Sequence, residues 1–290
     1  MEADRPTKLG VVLRVAAFAF IEIAGLMIFA PALYAVGGYL VSGALGTFAA
    51  AAVANALAVR IWERGTLADI GLHWNDASRK NVVWGFVLGV GAACLVLALP
   101  LASGFATIRA TPDNPGNMGS AMFLSVVLLF GAIGEEMLFR GYGFQVLCGL
   151  LGPFATVLPT AILFSAAHAR NENMATLGLV NTFLWGVVLG YAFLRSGDLW
   201  LPIGLHFGWN WTAPLAGVNL SGFTMGVTGF TFEWKASELW SGGAYGPEGG
   251  ILCTAACVLL LVVLRRAPIV PQQPFLMVRH ENRESFSERV

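Results

Sequence analysis

Long apolar runs separated by short polar breaks dominate the chain. The runs fall near 10–32, 36–59, 82–104, 119–140, 153–169, 176–195, 199–217 and 250–265. A membrane-crossing helix needs roughly 20 mostly apolar residues. The pattern therefore predicts an all-α fold, a polytopic transmembrane bundle of about eight helices. The first run follows a short polar leader, Met1 to Lys8, with no small-residue cleavage site, so it is read as a retained span and not as a signal peptide.

Composition agrees with this reading. The chain is 57% hydrophobic and 12% charged, where soluble proteins carry about 25% charged residues. Its mean hydropathy is +0.70. Lys and Arg collect in cytoplasmic loops. With the N-terminus inside, the inner segments hold Arg5, Lys8, Arg60, Arg64, Arg79, Lys80, Arg195, Arg265, Arg266, Arg279, Arg283 and Arg289, and the outer loops hold Arg109, Arg170 and Lys235. That asymmetry predicts N-in and C-in, in keeping with an even number of spans. The neutral net charge conceals the bias. No basic patch lies beside an aromatic platform, which argues against nucleic-acid binding.

The chain divides into four parts. Residues 1–118 hold the N-terminal membrane helices and a polar inner loop. Residues 119–212 form a four-helix unit with every chemically notable residue, and 213–265 an outer loop and the last membrane helix. Residues 266–290 read as a cytoplasmic tail, mobile from Pro268 onward, and Ser221 to Glu248 as a loop lying on the membrane face. Cys94, Cys148, Cys253 and Cys257 show no zinc-type spacing and are read as small hydrophobes. The 35 glycines read as close helix packing.

Three polar clusters interrupt the apolar runs: Glu135-Glu136-Met-Leu-Phe-Arg140, Phe164-Ser-Ala-Ala-His168 and His206-Phe-Gly-Trp-Asn210. Ionisable groups in lipid are costly and mark function by default. Glu136 and Arg140 stand four apart with Glu on the favoured N-terminal side, the spacing of a helical ion pair. Glu135 points about 100° away on the same helix and is free to act as a general base towards water. His168 and Glu135 lie equally far from a turn at Gly149 to Pro153, which places them at the same depth of an antiparallel hairpin. His206 and Asn210 share a helix face and together are able to hold an oxyanion. Trp209 and Trp211 read as packing or interfacial residues. Each cluster also has a plainer reading: an ion-pair network bracing the bundle, an interfacial histidine, a polar helix–helix hydrogen bond.

Depth raises a conflict. His206 lies roughly 14 Å from its inner turn and Glu135 about 25 Å from its own, at 1.5 Å per residue. The two meet only if the fourth and fifth helices tilt strongly or project some 11 Å beyond the membrane. The stretch Arg140 to Gln145 reads as polar enough to protrude. The expectation is a site in the cytoplasmic half, reached from inside.

The order EExxxR, FxxxH, HxxxN on successive membrane helices resembles the CPBP family, the CAAX proteases and bacteriocin-processing enzymes also called Abi proteins. The resemblance covers about 119–212, including Phe139-Arg-Gly141, Gly186, Gly190 and the lead from Ser196 through Pro202 into the last motif; Ile70-Gly-Leu72 is also similar. It implies an intramembrane endopeptidase of a prokaryotic inner membrane acting on a peptide or lipidated peptide in the bilayer. Glu135 with His168 would activate water, His206 with Asn210 would stabilise the oxyanion, and Glu136 with Arg140 would hold the motif's shape. Glu135, His168 and His206 could also supply three ligands to a zinc ion, and the residues leave both versions open. The other class is a non-enzymatic immunity or scaffold protein, or a transporter, to which an otherwise unassigned Glu22 would be better suited.

Overall fold

In the computed structural model, residues 7–274 and 276 are described. Arg5, Arg279, Arg283, Arg289 and most of the tail lie outside them. All eight apolar runs are helical, and among the described residues four helical stretches are long and apolar enough to cross a membrane: Lys8–Glu63, Asp76–Ala102, Met118–Leu151 and Thr176–Ser196.

Helix α1 (Lys8–Ala58) is a hairpin of two predicted spans, turned at Gly38, whose φ of 71° and ψ of −164° leave helical space. Small residues let its arms approach: a Cβ added to Gly25 would lie 3.0 Å from that of Ala50. A π turn (Val59–Glu63) and a 3-10 turn (Leu67–Ile70) lead into α2 (Asp76–Ala102). Then follow α3 (Met118–Arg140), α4 (Tyr142–Leu151), α5 (Pro153–His168), α6 (Thr176–Ser196), α7 (Trp200–Leu215), a one-turn α8 (Glu238–Ser241) and α9 (Ile251–Arg266). Strands β1 (Ala106–Ala110) and β2 (Phe230–Trp234) pair antiparallel, Ala106 opposite Trp234. The sequence reading of 221–248 as loop alone thus misses a strand.

Helices α2 and α7 pack closest. Gly85 and Gly89 on α2 face Gly204 and Gly208 on α7, and a Cβ at any of the four would fall 2.2 to 2.6 Å from a backbone oxygen of the other helix. Backbone has nowhere to retreat, so these positions require glycine. This double small-xxx-small contact fixes the height of α7, the helix that carries His206 and Asn210.

Two expectations are corrected. The polar stretch Arg140 to Gln145 is not exposed but packs inside the bundle: Arg140, Tyr142 and Gln145 are buried, and α3 stops at Gly141, whose ψ is −141°. The break is held by Asn55 of α1, which accepts from the Tyr142 amide at 2.8 Å and donates to the Met137 carbonyl at 3.0 Å. The start of the tail is docked, not mobile. Val270 exchanges two hydrogen bonds with the Asn81 side chain (3.0 and 3.1 Å), the Gln272 amide donates to the Ser196 carbonyl at 2.7 Å, and the Gln272 side chain donates to Asp198.

Candidate active site

The helix break places the EExxxR motif in the last turns of α3. Glu136 and Arg140, four apart, pair at 3.1 Å with both side chains buried, and a second guanidinium nitrogen donates to the Gly186 carbonyl at 2.9 Å. The guanidinium carbon also lies 4.9 Å from the centre of the Phe164 ring, a cation–π contact. Glu136 does more than brace: its Oε1 lies 2.8 Å from Nδ1 of His206. That bond turns the other ring nitrogen of His206 towards Glu135.

Glu135, one residue earlier, faces elsewhere, as helical geometry requires. Its side chain is 27% exposed where that of Glu136 is 0%. Glu135 Oε2 stands 3.7 Å from Nε2 of His168 and 3.8 Å from Nε2 of His206. These separations exceed a hydrogen bond, so a group seated between them meets a carboxylate and two imidazoles at once. His168 is oriented by its own helix, with Nδ1 2.8 Å from the Phe164 carbonyl. When Nδ1 carries the proton, Nε2 faces Glu135 as an acceptor. The FxxxH spacing is therefore a unit in which Phe164 supplies the carbonyl that sets the ring, and an edge-on contact with Phe139 at 5.1 Å.

Glu135, His168, His206 and Asn210 all line one cavity of about 400 Å³. The Asn210 side chain has no hydrogen-bond partner among the described residues and is available to a bound group. The four residues are thus together, with His168 and Glu135 at one depth. Trp209 packs in the core against Trp185, as its sequence reading expects, and in addition lines the cavity and donates to Glu248 Oε1 at 3.1 Å. Trp211 lies outside the lining and donates to Ser125 at 2.8 Å.

Sequence reasoning missed Glu248. Its other oxygen accepts from the Ser221 amide at 2.6 Å and hydroxyl at 2.9 Å, and it enters the cavity with Tyr245 and Asn171. A single acidic residue in a glycine-rich segment gives no periodic signal, so only the tertiary fold reveals it. Glu22 is buried with neither carboxylate oxygen hydrogen-bonded among the described residues. It lies outside the cavity lining and acquires no role from the geometry.

Of the candidate zinc ligands, Glu135 stands 3.7 Å from His168 and 3.8 Å from His206. Among the described residues, however, no group of three His, Cys, Asp or Glu side chains forms a metal-binding arrangement. The placement does not fit the ion, and no step below runs through a metal.

Residues 117–212 match the family model described as type II CAAX prenyl endopeptidase Rce1-like. This segment runs from α3 through α7 and contains all three motifs, and the match supports a CPBP/CAAX protease family. An Escherichia coli protein described as an uncharacterized 24.3 kDa protein is 30% identical over 146 residues, 49% of this chain and 62% of that relative. The chain therefore covers less than two thirds of that relative's length. No solved structure matches significantly.

Proposed function

We propose that this integral membrane protein is a CAAX-type intramembrane endopeptidase in which Glu135 and His168 activate water and His206 and Asn210 stabilise the oxyanion. The observation that carries this reading is the convergence of the four side chains on one cavity, within the segment that matches the protease family. Glu135 takes a proton from water, and the water oxygen attacks the peptide carbonyl carbon. The C=O electron pair moves onto oxygen. The Asn210 amide donates to that oxyanion, as does Nε2–H of His206 in its protonated form, with Glu136 accepting from Nδ1. The tetrahedral intermediate collapses with cleavage of the C–N bond, and the proton held on Glu135 passes to the leaving amine. His168 positions the water against Glu135. The substrate would be a peptide segment, lipidated or not, held at the membrane.

Nothing in the geometry favours the transporter or scaffold reading. Glu22, the residue that invited it, lies apart from the cavity. The test is comparative proteomics of membranes carrying the native chain or Glu135→Gln. Uncleaved peptides should accumulate with the variant, and a Glu135→Gln chain that still turns over ends the reading. Exhaustive chelation with metal analysis is the companion measurement. Full activity at negligible metal content is expected, and loss that zinc restores would require a different site arrangement.

A further inference from the structure

We infer that Glu248 determines which peptide the cavity takes: its carboxylate binds a lysine or arginine side chain of the substrate. The inference rests on the proteolytic reading of the cavity and adds a substrate class to it. Glu248 lies in the turn Pro247–Gly249, just before α9. Its backbone is held from α6, where the Asn181 amide donates to the Glu248 carbonyl at 2.7 Å and to the Gly250 carbonyl at 2.9 Å. Asn181 in turn accepts from the Thr254 hydroxyl at 2.6 Å. The side chain thus leaves a fixed backbone and enters the cavity wall.

The carboxylate has donors but no cation. Trp209 Nε1 donates to Oε1 at 3.1 Å, and the Ser221 amide and hydroxyl donate to Oε2 at 2.6 and 2.9 Å. All three donors are neutral, and no Lys or Arg pairs with Glu248 among the described residues. A carboxylate offers about four acceptor sites, so Oε1 keeps one open. Neutral donors orient the group without cancelling its charge, and a charge held out of water is costly until an opposite charge meets it. A basic side chain of a bound peptide supplies that charge.

The rest of the lining points the same way. Among the described residues the wall contains two carboxylates, Glu135 and Glu248, and no Lys or Arg. Arg140 is engaged by Glu136 and the Gly186 carbonyl and is not part of the wall. Glu135 faces both histidines and has the water to activate, whereas Glu248 has no such task. A cavity of about 400 Å³ admits only a few residues of extended chain, each about 3.3 Å long. A basic residue close to the scissile bond therefore reaches Glu248 while the peptide carbonyl lies at Asn210, the neighbour of the tryptophan that holds Oε1. An acidic residue at the same place would be repelled, which sharpens the choice.

The probe is a set of short N-acylated peptides with Lys, Gln or Glu placed at each position in turn, captured from detergent on the purified full-length Glu135→Gln chain. That background binds without cleaving and leaves Glu248 as the one carboxylate in the wall among the described residues. At one position the Lys peptide should be captured about tenfold better than its Gln counterpart, the order set by a charge-assisted hydrogen bond, and the preference should vanish when Glu248→Gln is added. Carbodiimide coupling of captured Lys peptides should join the lysine to Glu248 in the peptide map, a reading that needs no change at 248. Absence of a basic preference, a preference that survives Glu248→Gln, or coupling at other residues only would overturn the inference. In the cleaving chain Glu248→Gln should act on KM for the Lys peptide far more than on kcat, and an equal fall in kcat on every peptide would make Glu248 a brace. Capture needs no turnover. A chain that selects basic peptides and cleaves none keeps the inference and loses the proteolytic reading, and cleavage without basic preference does the reverse.

Discussion

Glu136 and His206, 70 positions apart, are joined at 2.8 Å through Oε1 and Nδ1, while the same carboxylate pairs with Arg140. One buried group thus ties the fold's internal ion pair to the orientation of a site imidazole. Glu136→Gln leaves Arg140 without its charge partner, and breaking a buried pair on one side costs about 3–5 kcal/mol. The double variant Glu136→Gln with Arg140→Gln removes both charges and should recover most of the thermal stability in detergent. Its cleavage rate should stay low, because His206 has lost the carboxylate on Nδ1. A double variant that regains both stability and rate would reduce Glu136 to a brace.

Asn210 allows the cleanest separation of chemistry from folding. Its side chain lines the cavity and makes no internal hydrogen bond among the described residues, so truncation leaves nothing unpaired. Asn210→Ala should keep the melting temperature and lower kcat by about 10²–10³-fold, the usual cost of one oxyanion donor, with KM little changed. Asn210→Asp, which places negative charge beside a developing oxyanion, should be worse than Ala. Equal activity of native chain and Asn210→Ala would remove this residue from the mechanism.

Helical periodicity carried much of the site, because within one helix spacing dictates contact. The Glu136–Arg140 pair, the separate facing of Glu135 and the shared face of His206 and Asn210 all follow from it. The Glu135–His168 depth match also came through, since a hairpin preserves distance from its turn. Interactions between remote segments were illegible. Asn55 looks like one polar residue in an apolar helix, yet it serves the backbone freed at Gly141. Glu248 and the docking of Val270 and Gln272 likewise depend on partners far along the chain that no local pattern announces.

The α3–α4 break gives its own test. Asn55→Ala orphans the Tyr142 N–H and the Met137 C=O, both buried, and unmade buried hydrogen bonds cost about 1–3 kcal/mol each. A loss of about 2–4 kcal/mol is expected in chemical denaturation. Asn55→Asp keeps the acceptor for Tyr142 and loses the donor to Met137, so it retains at most half of the native contribution. An Asn55→Ala chain as stable as the native one would show that the break is held by packing alone.

The α2–α7 contact predicts a paired outcome for two glycine substitutions. A methyl group at Gly204 would lie 2.3 Å from the Val82 carbonyl oxygen, whereas at Gly91 nothing lies within 4 Å. Gly204→Ala must push the helices apart, an overpacking cost of about 1–3 kcal/mol, and should also lower cleavage because α7 carries His206. Gly91→Ala should be neutral or slightly stabilising, as a helical glycine is about 1 kcal/mol worse than alanine. Similar behaviour of the two variants in melting and activity would rule out close approach as the reason for glycine at 204.

The docked tail predicts a pH-dependent stability effect at the basic end. Burial pushes the Asp198 carboxyl up, and hydrogen bonds from Asn81, the Leu201 amide, Ser196 and Gln272 act against that by favouring the charged form. A carboxyl raised in the folded state contributes most to stability below its unfolded value, about 3.9, and that contribution is lost as pH rises through the folded value. Donors to the carboxylate therefore matter most at neutral pH. Asn81 donates to Asp198 at 2.8 Å and also holds Val270. Asn81→Ala should cost about 2–4 kcal/mol near pH 7, since bonds to charged groups are worth about 1.5–3 kcal/mol. The deficit should shrink as the pH is lowered and Asp198 takes up its proton, leaving only the Val270 bonds to be missed. Melting curves of both chains across that range read the difference directly. A deficit that is constant or grows on acidification would mean that Asn81 acts on the tail backbone alone and not on the buried carboxylate.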